Sequence, residues 1–328
     1  MTSEIDIGSR AGFARDDGVA GPPRSTGRLG DRLFALAAQG SGVLLLAVMV
    51  AIGVFLIWKA VPALQANEAD FLTEQEWNPN ANPPVFGIAQ LAFGTVMSSF
   101  LALVMATPVA IGIALFISFY APRRLAAGLG YLVDLLAAVP SIVYGLWGLH
   151  YFNTTMDDVG RFLNAYFGWI PLFGGDSVGG RSLLTASVIL AIMILPIISS
   201  ITREVFLQVP GSHVEAALAL GATRWEVIKL AVLPFGRSGM ISAAMLGLGR
   251  ALGETIAVAM VLSTASGISI HILADGGNTI AANIANSFAE ATETGRGALI
   301  ASGLVLFVIT LIVNMTARLI VARRKEFA

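Results

Sequence analysis

The sequence predicts an all-α membrane protein with six transmembrane helices and both termini in the cytoplasm. The composition is 56% hydrophobic and only 12% charged, with a mean hydropathy of +0.78. Apolar segments recur that are long enough for helices of about 20 residues, the length that crosses a hydrocarbon core of roughly 30 Å. Lys and Arg are distributed very unequally over the connecting segments, and such an excess marks the cytoplasmic side.

The first part of the chain, residues 1–32, is polar and rich in Gly, Pro, Arg and Asp without an apolar period. We expect a disordered cytoplasmic tail there. Residues 33–328 form the predicted membrane domain. Its six apolar segments are Leu33–Val61, Ile88–Tyr120, Ala126–Leu149, Leu183–Ile201, Phe235–Leu262 and Gly297–Ile320. Pro108 in the second segment predicts a kink, because proline removes one backbone donor.

The orientation follows from counting cations with the N-terminus placed inside. Fifteen Lys and Arg residues then lie on the cytoplasmic side and four outside, with Arg250 within the membrane. Of the outer segments, Asp157–Phe173 mixes aromatic and charged residues and suits the membrane interface. Ile280, Ile284 and Phe288 recur every four residues and predict a short helix on the outer surface. Both segments fit either simple loop packing or docking of an external partner.

Several kinds of chemistry are excluded by composition. The chain has no Cys, and its three His residues are far apart in sequence, so we predict no metal site and no catalytic residues. None of the three Lys residues is followed by Ser or Thr, which excludes a phosphate-binding loop of the GKS or GKT type. We expect no cofactor bound by this chain and no nucleic-acid partner.

The cytoplasmic segment at about residues 208–234 carries helix start and stop signals. Ser212 with Glu215, and Thr223 with Glu226, have the spacing of capping boxes. Gly221 between them suits a left-handed helix end. Pro234 fits the first turn of the fifth span. The pattern predicts two short helices outside the membrane, which either dock on another protein or lie on the lipid surface.

This segment resembles the EAA loop of ABC importer permeases. The family pattern is EAA, three residues, Gly, nine residues and then Ile-x-Leu-Pro. The chain has "EAALALG" at Glu215–Gly221 and, after nine residues, "AVLP" at Ala231–Pro234, so Ala231 departs from the usual Ile. The residues that match are Glu215, Ala216, Ala217, Gly221, Leu233 and Pro234. The resemblance implies the fold of a type I ABC importer permease and a loop that couples to a separate ATPase subunit, with Glu215 meeting it. ATP and Mg would then bind to that partner chain.

The stretch "GLGRALGETIA" places Arg250 and Glu254 four residues apart inside the fifth apolar segment. On a continuous helix the two side chains meet on one face. Each charge costs about 2.5–3.5 kcal/mol in a bilayer core, which points to a function or a partner. Gly249 and Gly253 add a GxxxG pattern that admits a neighbouring helix closely. Two readings stay open: the pair neutralises itself and joins helices, or Arg250 meets an anion in transit while Glu254 holds it otherwise.

Asp134, early in the third segment, is a second charge that we expect to be buried. An ion pair with an Arg of this chain or of another subunit is the favoured role, because a lone carboxylate is costly in a membrane.

The stretch "GLGRALGET", taken together with "VPSIVYGLWG" at Val139–Gly148, resembles the permeases of phosphate-specific ABC importers. The likeness covers the chain from about residue 33, and its order and length favour the PstC-type subunit. It implies that Arg250 and Glu254 act in phosphate translocation. It also implies a multi-pass subunit of the plasma (inner) membrane, which contacts lipid and is not itself an enzyme. The implied partners are a second permease (PstA-type), two ATPase subunits (PstB-type) and an external phosphate-binding protein (PstS-type).

Other functions remain open at this point. The same machine could import another oxyanion, such as molybdate or sulfate. A secondary anion transporter would need no coupling loop and more buried carboxylates than Asp134 and Glu254. A membrane enzyme ranks last, because the sequence holds no cluster of His, Cys or Ser to support catalysis.

Overall fold

The computed structural model describes residues 28–175, 178–263 and 267–325. Most of the described chain is helical, and the rest consists of connecting loops and a short antiparallel pairing of β1 (Trp77–Asn78) with β2 (Val85–Phe86). The α-helices are α1 (Arg28–Ala66), α2 (Ala89–Leu115), α3 (Arg123–Ala137), α4 (Ser141–Trp147), α5 (Asn153–Phe167), α6 (Leu183–Leu207), α7 (Gly211–Ala219), α8 (Arg224–Val227), α9 (Leu233–Leu252), α10 (Ile256–Val261), α11 (Ile280–Ser287) and α12 (Glu293–Lys325). Single π-helical turns follow α2, α4 and α8. The prediction of an all-α membrane protein is confirmed.

Within the described residues, five helical segments are long and apolar enough to cross a membrane, and a sixth span results if α3 and the helical segment from α4 to α5 are counted together. These two pieces are bent by 86°. Pro140 explains the break, because a proline pushes the residue before it out of the helical region. The third predicted span is therefore not one straight helix, and it counts as a span only when its two pieces are taken together.

The chain divides into two units within α1, at Ile52 and Gly53. The described part of the first unit is the first half of α1, and the side chains described there are exposed. Of the disordered tail predicted at residues 1–32, residues 1–27 lie outside the described part of the chain. Its last five residues already belong to α1, so the tail prediction is wrong for them.

The second unit is organised around α6, the most deeply buried of the candidate spans. Ala102, Ala106 and Ala110 of α2 recur every four residues and share one buried cluster with α6 residues such as Leu190 and Ile194. Small side chains at this spacing let two helices approach closely. The resulting van der Waals contacts stabilise the helix pair, because the hydrophobic effect contributes little to helix association inside lipid. α9 packs on α6 as well: a Cβ atom added at Gly247 would lie 2.8 Å from Ile198.

The helix predicted on the outer surface exists as α11, but it is not superficial. Ile280, Ala281, Ala282 and Asn283 are all buried, and α11 packs against α2, α10 and α12. The amide of Ile280 donates a hydrogen bond to the hydroxyl of Thr95 at 2.9 Å. Ile280 and Ile284 of the four-residue repeat thus contact other helices, whereas Phe288 is 48% exposed. In the other outer segment, α5 covers Asp157 to Phe167.

Candidate functional site

The fifth predicted span is interrupted beside its charged residues. α9 ends at Leu252, Gly253 has φ −92° and ψ 0°, and α10 begins only at Ile256. Arg250 therefore sits in the last turn of one helix, while Glu254 lies in the break. Among the described ion pairs, none within 4.0 Å joins the two residues. The expectation that Arg250 and Glu254 pair on one continuous helix face is wrong.

Glu254 is buried, with 9% of its surface exposed, and it has a backbone partner. Its Oε1 accepts a hydrogen bond from the amide of Ala257 at 3.1 Å, in the first turn of α10. The first amides of a helix lack partners within the helix and carry a positive partial charge, so a carboxylate there is stabilised. Glu254 thus acts as a cap for α10.

Arg250 is half-buried and makes no hydrogen bond or ion pair with the described part of the chain. Its guanidinium lies within electrostatic range of Tyr144 on α4. The hydroxyl of Tyr144 itself donates to the carbonyl of Leu136 at 3.1 Å. An unpaired guanidinium inside a membrane span keeps its five donors available for an anion.

One of the two motifs that carry the resemblance to phosphate-specific permeases contacts the helix that directly follows the other motif. A Cβ atom added at Gly145 on α4 would lie 2.9 Å from the Cα of Ala257 and 3.0 Å from the sulfur of Met260, both on α10. A Cβ atom at Gly148 would collide with Ile189 and lie 2.9 Å from Val261. The glycines of "VPSIVYGLWG" therefore let α4 and its π-helical turn approach α10 directly after Glu254.

Asp134 is not buried in this chain: its side chain is 53% exposed. Its Oδ2 lies 3.4 Å from Nη2 of Arg203, near the end of α6, and the same nitrogen lies 3.0 Å from Glu204. The expectation of burial is wrong because Asp134 falls on an outward face of α3. The observed partner, Arg203, lies 69 residues further along the chain.

The predicted coupling segment forms two short helices. Gly221 has φ +81°, and the amides of Gly221 and Ala222 donate to the carbonyls of Leu218 and Ala217 at 2.9 and 3.2 Å. These two hydrogen bonds form a Schellman motif. Its left-handed position is one that glycine occupies without steric cost. The left-handed helix end predicted at Gly221 is confirmed.

Only one of the two predicted capping boxes forms. The Thr223 amide donates to Oε2 of Glu226 at 2.7 Å, and the Glu226 amide donates to the Thr223 hydroxyl at 3.4 Å. Ser212 caps nothing, because α7 begins one residue earlier, at Gly211, behind Pro210. No residue of α7 is buried, Glu215 and Ala216 are exposed, and Ala217 is half-buried.

The second helix of this segment continues into the fifth span. α8, the π-helical turn Ile228–Val232 and α9 form one apolar helical segment of 29 residues, Arg224–Leu252, with Pro234 in the first turn of α9. Ile228 and Val232 are buried against Ala114 and Phe206. They supply apolar contacts beside Ala231, the position at which the EAA pattern usually has Ile.

Sequence reasoning missed Arg181, a single cation just before α6. Its side chain donates to the carbonyls of Val261 and Leu262 at the far end of α10, across 80 residues of sequence. A lone Arg in an outer segment poor in cations was the available signal, but no local pattern reveals so distant a partner. In the part of the chain that the structure describes, no group of three His, Asp or Glu could hold a metal ion.

Comparisons with known proteins agree on one family. Residues 106–326 match the family described as "Binding-protein-dependent transport system inner membrane component". The chain is 48% identical over 298 residues to the phosphate transport system permease protein PstC 2 of Mycobacterium tuberculosis, covering 89% of this chain and 92% of that protein. It is 44% identical over 302 residues to PstC of Xylella fastidiosa (strain Temecula1), covering 90% of this chain and 92% of that protein.

Two solved structures share the fold at low sequence identity. The MetNI methionine ABC transporter aligns with a TM-score of 0.53 at 14% identity, over 72% of this chain and 95% of that one. A bacterial ABC transporter involved in the import of alginate aligns with a TM-score of 0.53 at 17% identity, over 89% of this chain and 98% of that one. Proteins of this family are non-catalytic, multi-pass subunits of the inner membrane. The chain belongs to the inner membrane components of binding-protein-dependent transport systems, as a PstC-type ABC importer permease.

Proposed function

We propose that the chain is the PstC-type permease subunit of an ATP-driven importer of inorganic phosphate and forms half of its translocation pathway. The single observation that carries the substrate assignment is Arg250, which has no hydrogen-bond or ion-pair partner among the described residues and lies in a membrane span of a chain 48% identical to a phosphate transport system permease. A guanidinium presents a fixed fork of donors that matches phosphate oxygens. Arg250 and Glu254 are the proposed pathway residues.

The proposed complex contains a second permease of the PstA type, two PstB-type ATPase subunits and an external PstS-type phosphate-binding protein. Both termini of this chain lie in the cytoplasm, as the distribution of Lys and Arg indicates. ATP and Mg bind only to the ATPase subunits. The exposed helix α7, with Glu215, Ala216, Ala217 and Gly221 in and directly after it, is the proposed contact with an ATPase subunit.

The proposed cycle begins when the loaded binding protein docks on the outer loops. ATP binding closes the ATPase pair, and α7 transmits that motion through α8 to α9. The pathway opens outward, phosphate enters past Arg250, and hydrolysis resets the inward-open state. Two roles are proposed for Glu254: it caps α10, and its carboxylate repels phosphate from resting permanently on Arg250.

A reconstituted complex tests this function. Vesicles with all partner chains should show ATP-dependent phosphate uptake, and loaded binding protein should stimulate ATP hydrolysis. Molybdate or sulfate as the preferred substrate would identify another oxyanion importer. Uptake that persists without the ATPase subunits would identify a secondary transporter.

A further inference from the structure

A pair of outer loops packs directly on α10. Residues 179–184, before and at the start of α6, run beside residues 272–276, which follow α10 in the chain. The amide of Gly179 donates to the Leu273 carbonyl at 3.0 Å, and the amide of Leu184 donates to the Ile272 carbonyl at 3.0 Å. The amide of Gly276 donates to the Arg181 carbonyl at 3.1 Å. We call these two segments the outer loop pair.

Arg181 lies at the centre of the outer loop pair. Its backbone amide donates to Oδ1 of Asp275 at 3.1 Å. Gly179 leaves room for this carboxylate, because a Cβ atom there would collide with it. Asp275 therefore holds the backbone of Arg181, and the guanidinium remains available to bond other groups.

The guanidinium of Arg181 reaches the end of α10. Nε donates to the Val261 carbonyl at 3.3 Å and Nη2 donates to the Leu262 carbonyl at 3.0 Å. Val261 and Leu262 are both buried. Cations stabilise the C-terminal end of a helix because its last carbonyls point outward and carry a negative partial charge.

α10 thus has an anionic cap at one end and a cationic cap at the other. Glu254 bonds its first turn, Arg181 bonds its last carbonyls, and only six residues lie in the helix. So short a helix has few internal hydrogen bonds and depends on its surroundings. Fixing its end at Val261 therefore also fixes its beginning, where Glu254 is located.

We propose that Arg181 is a positioning residue for translocation, which holds α10 and thereby keeps Glu254 in place at the start of that helix. The inference rests on the proposed function, since it assigns Arg181 a part in that same pathway. Arg181 also lines an open cavity of about 570 Å³ together with Asp157, Arg161 and Asp275.

The test measures the position of α10 in the assembled importer. Because the chain has no cysteine, a single thiol introduced by Ile256→Cys is unique in this subunit. Ile256 is 46% exposed and lies two residues after Glu254. Labelling by a water-soluble maleimide is timed in the otherwise unchanged complex and in complexes that also carry Arg181→Gln, Arg181→Lys or Arg161→Gln. Arg161 is the matched control, since its one ion pair within the described residues is with Asp157 on α5.

We expect Arg181→Gln to raise the labelling rate by about tenfold, the scale of one hydrogen bond to a charged group. Arg181→Lys should fall between Arg181→Gln and the parent, because an ammonium can still donate to one carbonyl. Arg161→Gln should leave the rate unchanged. In uptake assays, Arg181→Gln should lower the maximal rate without shifting the phosphate concentration at half-maximal uptake.

Equal labelling of the Arg181→Gln and Arg161→Gln complexes would overturn the proposal. So would a shifted half-saturation with an unchanged maximal rate, which would place Arg181 at the docking contact alone. If the Arg181→Gln complex fails to assemble, the labelling rate of the Arg181→Lys complex is compared with that of the parent complex. Equal rates in these two complexes would count against the proposal. Labelling needs no phosphate, so a parent complex that imports no phosphate contradicts the proposed function and leaves this comparison intact.

Discussion

The carboxylate of Glu254 lies 3.1 Å from the backbone nitrogen of Ala257 and bonds that amide, in place of the guanidinium of Arg250. The two charges of "GLGRALGETIA" therefore have separate positions, and of the two only Glu254 has a hydrogen-bond partner within the described residues. Arg250 ends α9 without a partner in the described chain, and Glu254 begins α10. A neutral, permanently closed pair would be a poor anion site, and the observed arrangement avoids that difficulty.

Arg250→Gln should lower phosphate uptake by at least about tenfold, because a neutral amide cannot replace a charge-assisted contact with phosphate. The complex should still assemble, since Arg250 makes no bond that holds the described fold together. Transport of radioactive phosphate into vesicles and size-exclusion chromatography check the two expectations. Arg318→Gln, on the exposed face of α12, is the matched control. Loss of assembly in Arg250→Gln would favour a purely structural Arg250.

Glu254→Gln separates the charge of this residue from its cap. The glutamine oxygen can still accept from the Ala257 amide, so we expect normal assembly but slower uptake, because the negative charge that is proposed to repel phosphate from Arg250 is gone. Glu254→Ala should also lose the cap, which costs about 1 kcal/mol, and should lower thermal stability. Uptake by Glu254→Gln at the parent rate would show that the carboxylate acts only as a cap.

Gly145→Ala tests the contact between α4 and α10. The added Cβ atom would lie 2.9 Å from the Cα of Ala257, so a helix must move, at a cost of about 1–3 kcal/mol. We expect a lower melting temperature of the purified complex and reduced uptake. Gly128→Ala on α3 is the control, because a Cβ atom there meets nothing within 4 Å. That control should be neutral or slightly stabilising.

Glu215→Ala should uncouple ATP hydrolysis from uptake. Glu215 is exposed and has no ion pair in the described chain, so its loss leaves the fold of this subunit intact. We expect phosphate imported per ATP hydrolysed to fall by at least about tenfold, as for a central interface residue. Ser212→Ala on the same helix is the control, since Ser212 caps nothing. Unchanged uptake in Glu215→Ala would remove this residue from the proposed coupling contact.

Gly221→Ala should destabilise the turn between α7 and α8. The backbone there has φ +81°, which costs an L-residue about 1–2 kcal/mol. We expect weaker binding of the ATPase subunits, measured by their co-purification with the permease. Gly211→Ala is the matched control, because Gly211 lies in the first turn of α7 with open space around it. Equal co-purification of the two variants would mean that the turn geometry is unimportant.

The spans were predictable from the sequence because the cost of burying polar groups in lipid dictates long apolar runs. Helix ends were predictable too, where their geometry strongly favours particular residue types. Examples are the left-handed position at Gly221 and the capping box of Thr223 with Glu226. The break after Leu252 was not, since apolar residues lie on both sides of the charged stretch and the whole segment has the pattern of one helix. The structure instead has a carboxylate in the break that bonds forward to the amide of Ala257.

The site's long-range partners were also beyond the sequence. Arg203 with Asp134, and Arg181 with Val261, join residues 69 and 80 positions apart. Such pairs depend on how helices are arranged in space, and one sequence without spatial information cannot reveal them. The burial expected for Asp134 failed for the same reason, because which face of α3 points outward depends on its neighbours.

The continuous helical segment from Arg224 to Leu252 has a mechanical consequence. At 1.5 Å per residue its 29 residues extend about 43 Å, so it can work as a lever with Trp225 near one end and Arg250 near the other. A tilt of about 10° around the α7 end would displace the far end by about 7 Å, more than the rise of one helical turn. In the proposed coupling, a small rotation imposed at the α7 end would thereby be amplified at the guanidinium of Arg250.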